Sequence, residues 1–167
     1  ADTVRRYADS VPDDFRFIRS LGVNGVVDNV SITPSGSLWT YNRLNFYTYG
    51  KAAWNPDLNV DAMVADFINH YYGSGAGPMH AYWDLTEEAT TKFNLHPDYM
   101  TDDGSLRDPN DIHGWMMGIH YLVPNRRVFN LMIGYLDAAA ASLGETDDPI
   151  YAFRIGLLKQ KILEWDP

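Results

Sequence analysis

GVNGVVDNVSI, residues 22–32, is the one stretch of this 167-residue chain whose composition reads plainly as a β-strand. Val26 and Val27 are adjacent rather than alternating with polar residues, the pattern of a strand buried on both faces. A strand cannot satisfy its own backbone hydrogen bonds, so one strand implies neighbours. No second stretch carries an equally clear signal. The simplest expectation is a piece of a larger protein, divided inside an α/β barrel or sheet. Pairing with a weakly marked strand near the N-terminus, or across a dimer interface, would also supply the partners.

Outward from this stretch the chain reads as helices. Ser10-Val11-Pro12-Asp13-Asp14 is a helix start, with a polar cap, a proline in the first turn and acids at the positive dipole end. Phe15, Ile18 and Leu21 follow at helical spacing, and Gly22 supplies the C-terminal stop. Residues 38–54 are apolar around much of their circumference, as in a helix buried on several sides. Asn55-Pro56 ends that helix and Asn59 caps the next. Val60, Met63, Val64, Phe67, Ile68 and Tyr71 form its apolar stripe, and Gly73 terminates it. Pro78 opens a helix to about residue 94, with Glu88 and Lys92 as a favourable pair. Residues 95–111 are rich in turn residues, and a short helix is expected through Trp115 and Ile119. A long helix starts at Pro124 and stops at Gly144. The last starts at Asp147-Asp148-Pro149 and runs to about Trp165, so the final two form a helical hairpin.

A net charge of −9 and the lack of any basic run argue against nucleic acid and anionic membrane surfaces as partners. No apolar run reaches the length of a membrane span, and Ala1 opens no signal-peptide pattern. The chain has no cysteine, which removes thiolate nucleophiles and Cys-based zinc sites. The five histidines lack a His-Glu-x-x-His pattern, so no metal is expected, and no cofactor motif is present. The acidic stretch Asp98–Asp111 fails the EF-hand pattern, because Met100 stands where an oxygen ligand belongs. Gly73-Ser-Gly-Ala-Gly77 lacks the Lys-Ser/Thr ending of a phosphate loop and reads as a helix–helix turn.

The run from Tyr49 to Gly73, with Trp54-Asn55-Pro56-Asp57 near its start and Tyr71-Tyr72-Gly73 at its end, resembles a bacterial family of unknown function associated with glycoside hydrolases. Leu21 to Asn29 is similar to that family's Gly-Val-Lys-Gly-Val strand, and residues 151–155 to its C-terminal helical end. The resemblance implies the last strand and helices of a (β/α)8 TIM barrel, over residues 1–56, related to the barrels of α-glucuronidases and β-hexosaminidases. A mainly α-helical C-terminal extension packed on the barrel would occupy residues 57–167. The N-terminal remainder of the barrel would be a partner of this piece. The family's Glu-Gln after the strand is replaced here by Asp28-Asn29.

In such a barrel the active site lies at the C-terminal strand ends, which points to Asp28 and Asn29. Asp28 is the one candidate for a catalytic carboxyl. The alternative is that it hydrogen-bonds the loop backbone at Ser31 or Thr33. Trp39 and Tyr41 could stack on a sugar face or pack the helix onto the barrel wall, and Arg43 could meet a uronate carboxylate. Glycoside hydrolysis needs two carboxyl groups, and no convincing second one is present. The expected function is therefore the C-terminal part of a carbohydrate-active enzyme, a glycoside hydrolase acting on a glycan or uronide, inactive by itself. It would belong to a larger bacterial protein that is secreted, periplasmic or on the cell surface. The rival is a non-catalytic helical module that binds carbohydrate or a partner domain.

Overall fold

A computed structural model describes residues 10–25, 37–92 and 126–164. Every regular element among them is helical: α1 (Val11–Ser20), α2 (Ser37–Trp54), α3 (Val60–Tyr72), a 3-10 turn (Gly73–Gly75), α4 (Ala76–Lys92), α5 (Arg126–Ala141) and α6 (Pro149–Leu163).

The α/β expectation is corrected by this arrangement. Val23–Gly25, which should open the strand, are irregular, and no strand occurs among the described residues. Val23 is 45% exposed, so its apolar side chain is not covered on both faces as a barrel strand requires. The physical reason is the missing ladder. Strand-forming composition yields a strand only where a neighbour accepts its hydrogen bonds, and none of the described segments does so. The last strand and helices of a TIM barrel are thus not what the described residues build. Val26–Ile32, including Asp28 and Asn29, lie outside the described residues.

The helix boundaries follow local chemistry. Asn59 Oδ1 accepts the Ala62 N–H at 2.8 Å and starts α3. Gly73, at φ +54, ends it. Asp148 Oδ1 accepts the Ile150 N–H at 2.9 Å, with Pro149 in the first turn of α6. Pro78 falls inside the first turn of α4, two residues later than the helix start.

One main core joins these helices. Leu44 of α2, Ile68 of α3, Met79, Tyr82 and Trp83 of α4, Leu136 of α5 and Ile155, Leu158 and Ile162 of α6 are all at most 1% exposed. Each such side chain contributes about 1.5–3 kcal/mol through area removed from water. On α3, Met63, Val64, Phe67 and Ile68 are buried as their spacing predicts, but Tyr72 rather than Tyr71 completes the buried face. The α4 and α5 helices share the most extensive contact, and α5 and α6 form the expected hairpin, bridged by Lys159 and Asp137. The buried face of α2 is partly polar and satisfies itself. Asn45 Nδ2 donates to Asn42 Oδ1 at 3.1 Å, and the Thr48 hydroxyl donates to the Leu44 carbonyl at 3.1 Å. None of the described helices is long and apolar enough to cross a membrane.

The α1 helix packs on α2 in a smaller cluster of Val11, Phe15 and Ala52, with the Phe15 ring edge-on to Tyr49 at 4.9 Å. Arg19 ties it to the α2–α3 turn by two parallel bonds to Asp57, both 3.0 Å long. Hydrogen bonding to Arg19 holds the Asp57 carboxyl below its ordinary pKa. A pKa depressed by folding contributes stability above the unfolded value, about 3.9 for Asp, and that contribution is lost as pH falls through the lower folded value. Wild type should therefore melt above Asp57→Asn at about pH 7, and the two should converge at about pH 2. Thermal scans across that range check it; a gap unchanged by acid contradicts the pairing.

Candidate functional site

The Asn55-Pro56 step ends α2 because the residue before proline is disfavoured in helical geometry. The turn that follows brings Asp57 to Arg19 and the Pro56 carbonyl to Arg16 Nη1, at 2.5 Å. Between the end of α1 and the end of α2 this leaves an open groove of about 490 Å³, lined by Phe15, Ile18, Arg19, Val23, Trp54 and Pro56 among others. Trp54 stands at its rim 92% exposed. Its apolar ring face would have to be hidden in water-avoiding contact to contribute to folding, and it is not. Val23, which lines the same groove after the end of α1, is exposed as well, so Trp54 is not the one exposed apolar side chain among the described residues of the groove.

A second cavity, of about 120 Å³, lies between α2, α3 and α6, with Arg43, Tyr71, Ile150, Phe153 and Arg154 in its wall. Tyr71 is its centre. Phe67 stacks on the Tyr71 ring at 4.8 Å and 13°. The Arg154 guanidinium lies over the same ring at 4.0 Å from its centroid, and Arg43 at 5.6 Å. Arg154 Nη1 also donates to the Tyr71 carbonyl at 2.8 Å, which holds the guanidinium in place. Burial pushes the Tyr71 hydroxyl above its ordinary pKa, against the opposing pull of the two arginines. Among the described residues neither arginine meets a carboxylate.

A third cluster lies on the outer faces of α2 and α3. The Tyr47 hydroxyl donates to Asp66, and His70 Nδ1 sits 3.1 Å from the same carboxylate. Burial, then the bond to Asp66, pushes Tyr47 up to about 12. The Tyr47 bond holds Asp66 below its ordinary value. A carboxyl so depressed is ionised at neutral pH and cannot donate a proton there. The cluster is a surface network that fastens α2 to α3.

Of the five candidate substrate-binding residues, Asp28, Asn29, Trp39, Tyr41 and Arg43, only Arg43 has its side chain among the described residues, and it faces the smaller cavity. Trp39 and Tyr41 fall at the start of α2, and their side chains lie outside the described residues, as do Asp28 and Asn29. His96, His113, His120 and Asp98–Asp111 are outside them too. Among the described residues no group of three His, Asp or Glu side chains could hold a metal. Sequence reasoning passed over Trp54, Tyr71 and Arg154. Tyr71 was read as core, since it shares the α3 stripe. Trp54 had a signal: it ends its helix beside Asn55-Pro56, where no following turn can cover it.

A family model described as DUF4838, a domain of unknown function, matches residues 7–100. The chain belongs to the DUF4838 family. The match spans α1 to α4 and so takes in Trp54, Arg43 and Tyr71, whereas Arg154 lies beyond it. No curated protein and no solved structure matches the chain. Every regular element described in the DUF4838 region is helical, and the helices that follow it, α5 and α6, close its core.

Proposed function

We propose that this chain is a glycan-binding helical module of a carbohydrate-active protein, a glycoside hydrolase acting on a glycan or uronide. The observation that carries this reading is Trp54, exposed at the rim of an open groove. An indole face offers the C–H face of a sugar ring a flat apolar platform. The resemblance of residues 49–73 to a family associated with glycoside hydrolases supports the ligand class. Binding rather than cleavage is favoured for the described residues themselves. Hydrolysis needs two carboxyl groups across the scissile bond. The groove lining has none among the described residues, and neighbouring Asp57 is engaged by Arg19.

The test is titration of the chain with neutral oligosaccharides, followed by calorimetry. Trp54→Ala should weaken binding about tenfold or more, the equivalent of about 1.5–3 kcal/mol of apolar area no longer removed from water. Its melting temperature should stay close to wild type, because the ring is exposed. Unchanged affinity in Trp54→Ala, or no binding across a broad glycan panel, overturns the proposal.

A further inference from the structure

We infer that the cavity between α2, α3 and α6 is a subsite for the carboxylate of an acidic sugar, a uronate. Two guanidiniums converge there on one tyrosine ring, at 4.0 and 5.6 Å from its centroid. They are thus no more than about 10 Å apart, which is about one Debye length at moderate salt. Like charges held so close repel, and no carboxylate among the described residues offsets them. The protein as a whole carries a net charge of −9, yet none of the described residues lining this cavity is acidic. An arriving anion removes the repulsion and gains both charges.

The donors are oriented for it. Arg154 spends one of its five N–H donors on the Tyr71 carbonyl and is stacked on the ring, so its plane is set and the other donors remain. Arg43 lies over the same ring at 5.6 Å and brings five N–H donors of its own. Planar, paired donors match a carboxylate better than a lysine ammonium does. Size narrows the ligand. A cavity of about 120 Å³ has room for a carboxylate and the carbons beside it. Phe153 is 62% and Ile150 37% exposed at the same cavity, giving apolar surface for the C–H face of the attached ring. This site is separate from the groove. Arg43 and Trp54 lie eleven residues apart along α2, about 16 Å of helix.

The sugar part of this inference rests on the glycan-binding reading, so the experiment separates the two. The full chain is titrated with glucuronate, its neutral methyl ester, glucose and acetate. Glucuronate should bind about tenfold or more tightly than the ester or glucose, and that preference should weaken with added salt. Arg43→Gln should abolish the preference with helical circular dichroism unchanged, and Arg43→Lys should restore part of it. Arg43 is the better position to change, since Arg154 also holds the Tyr71 carbonyl. Trp54→Ala should weaken neutral glycans and leave the preference intact. Equal affinity for glucuronate and its ester, or a preference that survives Arg43→Gln, overturns the subsite and leaves the Trp54 groove standing. Acetate binding as tightly as glucuronate overturns the sugar assignment. Uronate selectivity without any neutral glycan binding supports the subsite while overturning the groove.

Discussion

Trp83→Ala is expected to remove about 3–5 kcal/mol of stability, the range for deleting a fully buried large aromatic. Domains of this kind are stable by only about 5–15 kcal/mol, so the variant should sit near the edge of folding. Trp83 is 0% exposed and stands edge-on to Tyr82 at 5.3 Å and 84°. It belongs to the core cluster shared by α2, α3, α4, α5 and α6. Its removal leaves a cavity that several helices would have to close together, and close-packed helices relax only in part. Urea denaturation followed by circular dichroism checks it. The midpoint should fall sharply while the slope stays that of wild type. Trp83→Phe, which keeps most of the ring area, should lose markedly less. A Trp83→Ala loss below about 1 kcal/mol would contradict the packing of α4 in the core.

Gly73→Ala is expected to cost about 2–6 kcal/mol through two independent mechanisms. Gly73 has φ +54 and ψ −128, a conformation that L side chains rarely adopt, at a cost of about 1–3 kcal/mol. A Cβ there would also overlap the Tyr151 ring, which packs over the α3–α4 turn from α6. Displacing a packed ring typically costs a further 1–3 kcal/mol or so. A double-mutant cycle with Tyr151→Ala separates the two. The steric part should vanish in the double variant, and the backbone part should persist. Additive effects of the two changes would show that the Tyr151 ring is not where Gly73 needs space. Gly75 lies in the same turn and is tight for a related reason: a Cβ would stand 3.0 Å from the Ala139 carbonyl oxygen.

Much of the helical framework was legible from single residues. Asn59, Gly73, Asp148 and Pro149 act within one turn of themselves, through a cap, a positive φ or a fixed φ, and the structure places each where its chemistry demands. The α3 stripe was legible for the same reason, since period and sterics are local. Two readings went astray at its edges. Leu21 shares a helical spacing with Phe15 and Ile18 yet is exposed, because the buried contact of α1 with α2 runs through Val11 and Phe15. Tyr72, not Tyr71, turns inward, because α6 arrives beside Tyr71 and covers it with Arg154.

The strand reading failed on a different scale. Val23–Gly25 open the stretch that reads as a strand, but strand structure is a property of two segments, not one. The candidate sites divide along the same line. Arg43 could be proposed as an anion partner from its type and place, but its companion Arg154 comes from the far end of the sequence and no spacing rule links them. Trp54 could be seen at a helix end, but its exposure depends on where α1 docks. Where helices start and stop, and which of their faces are apolar, could be read from the residues alone, since these rest on sterics and hydrogen bonds within a few residues. That residues 23–25 stay out of a sheet, that Trp54 faces a groove and that two arginines meet at Tyr71 emerges only from the packing of the helices. Those outcomes depend on which distant segments pack together, and packing sums many small contacts that no single stretch contains.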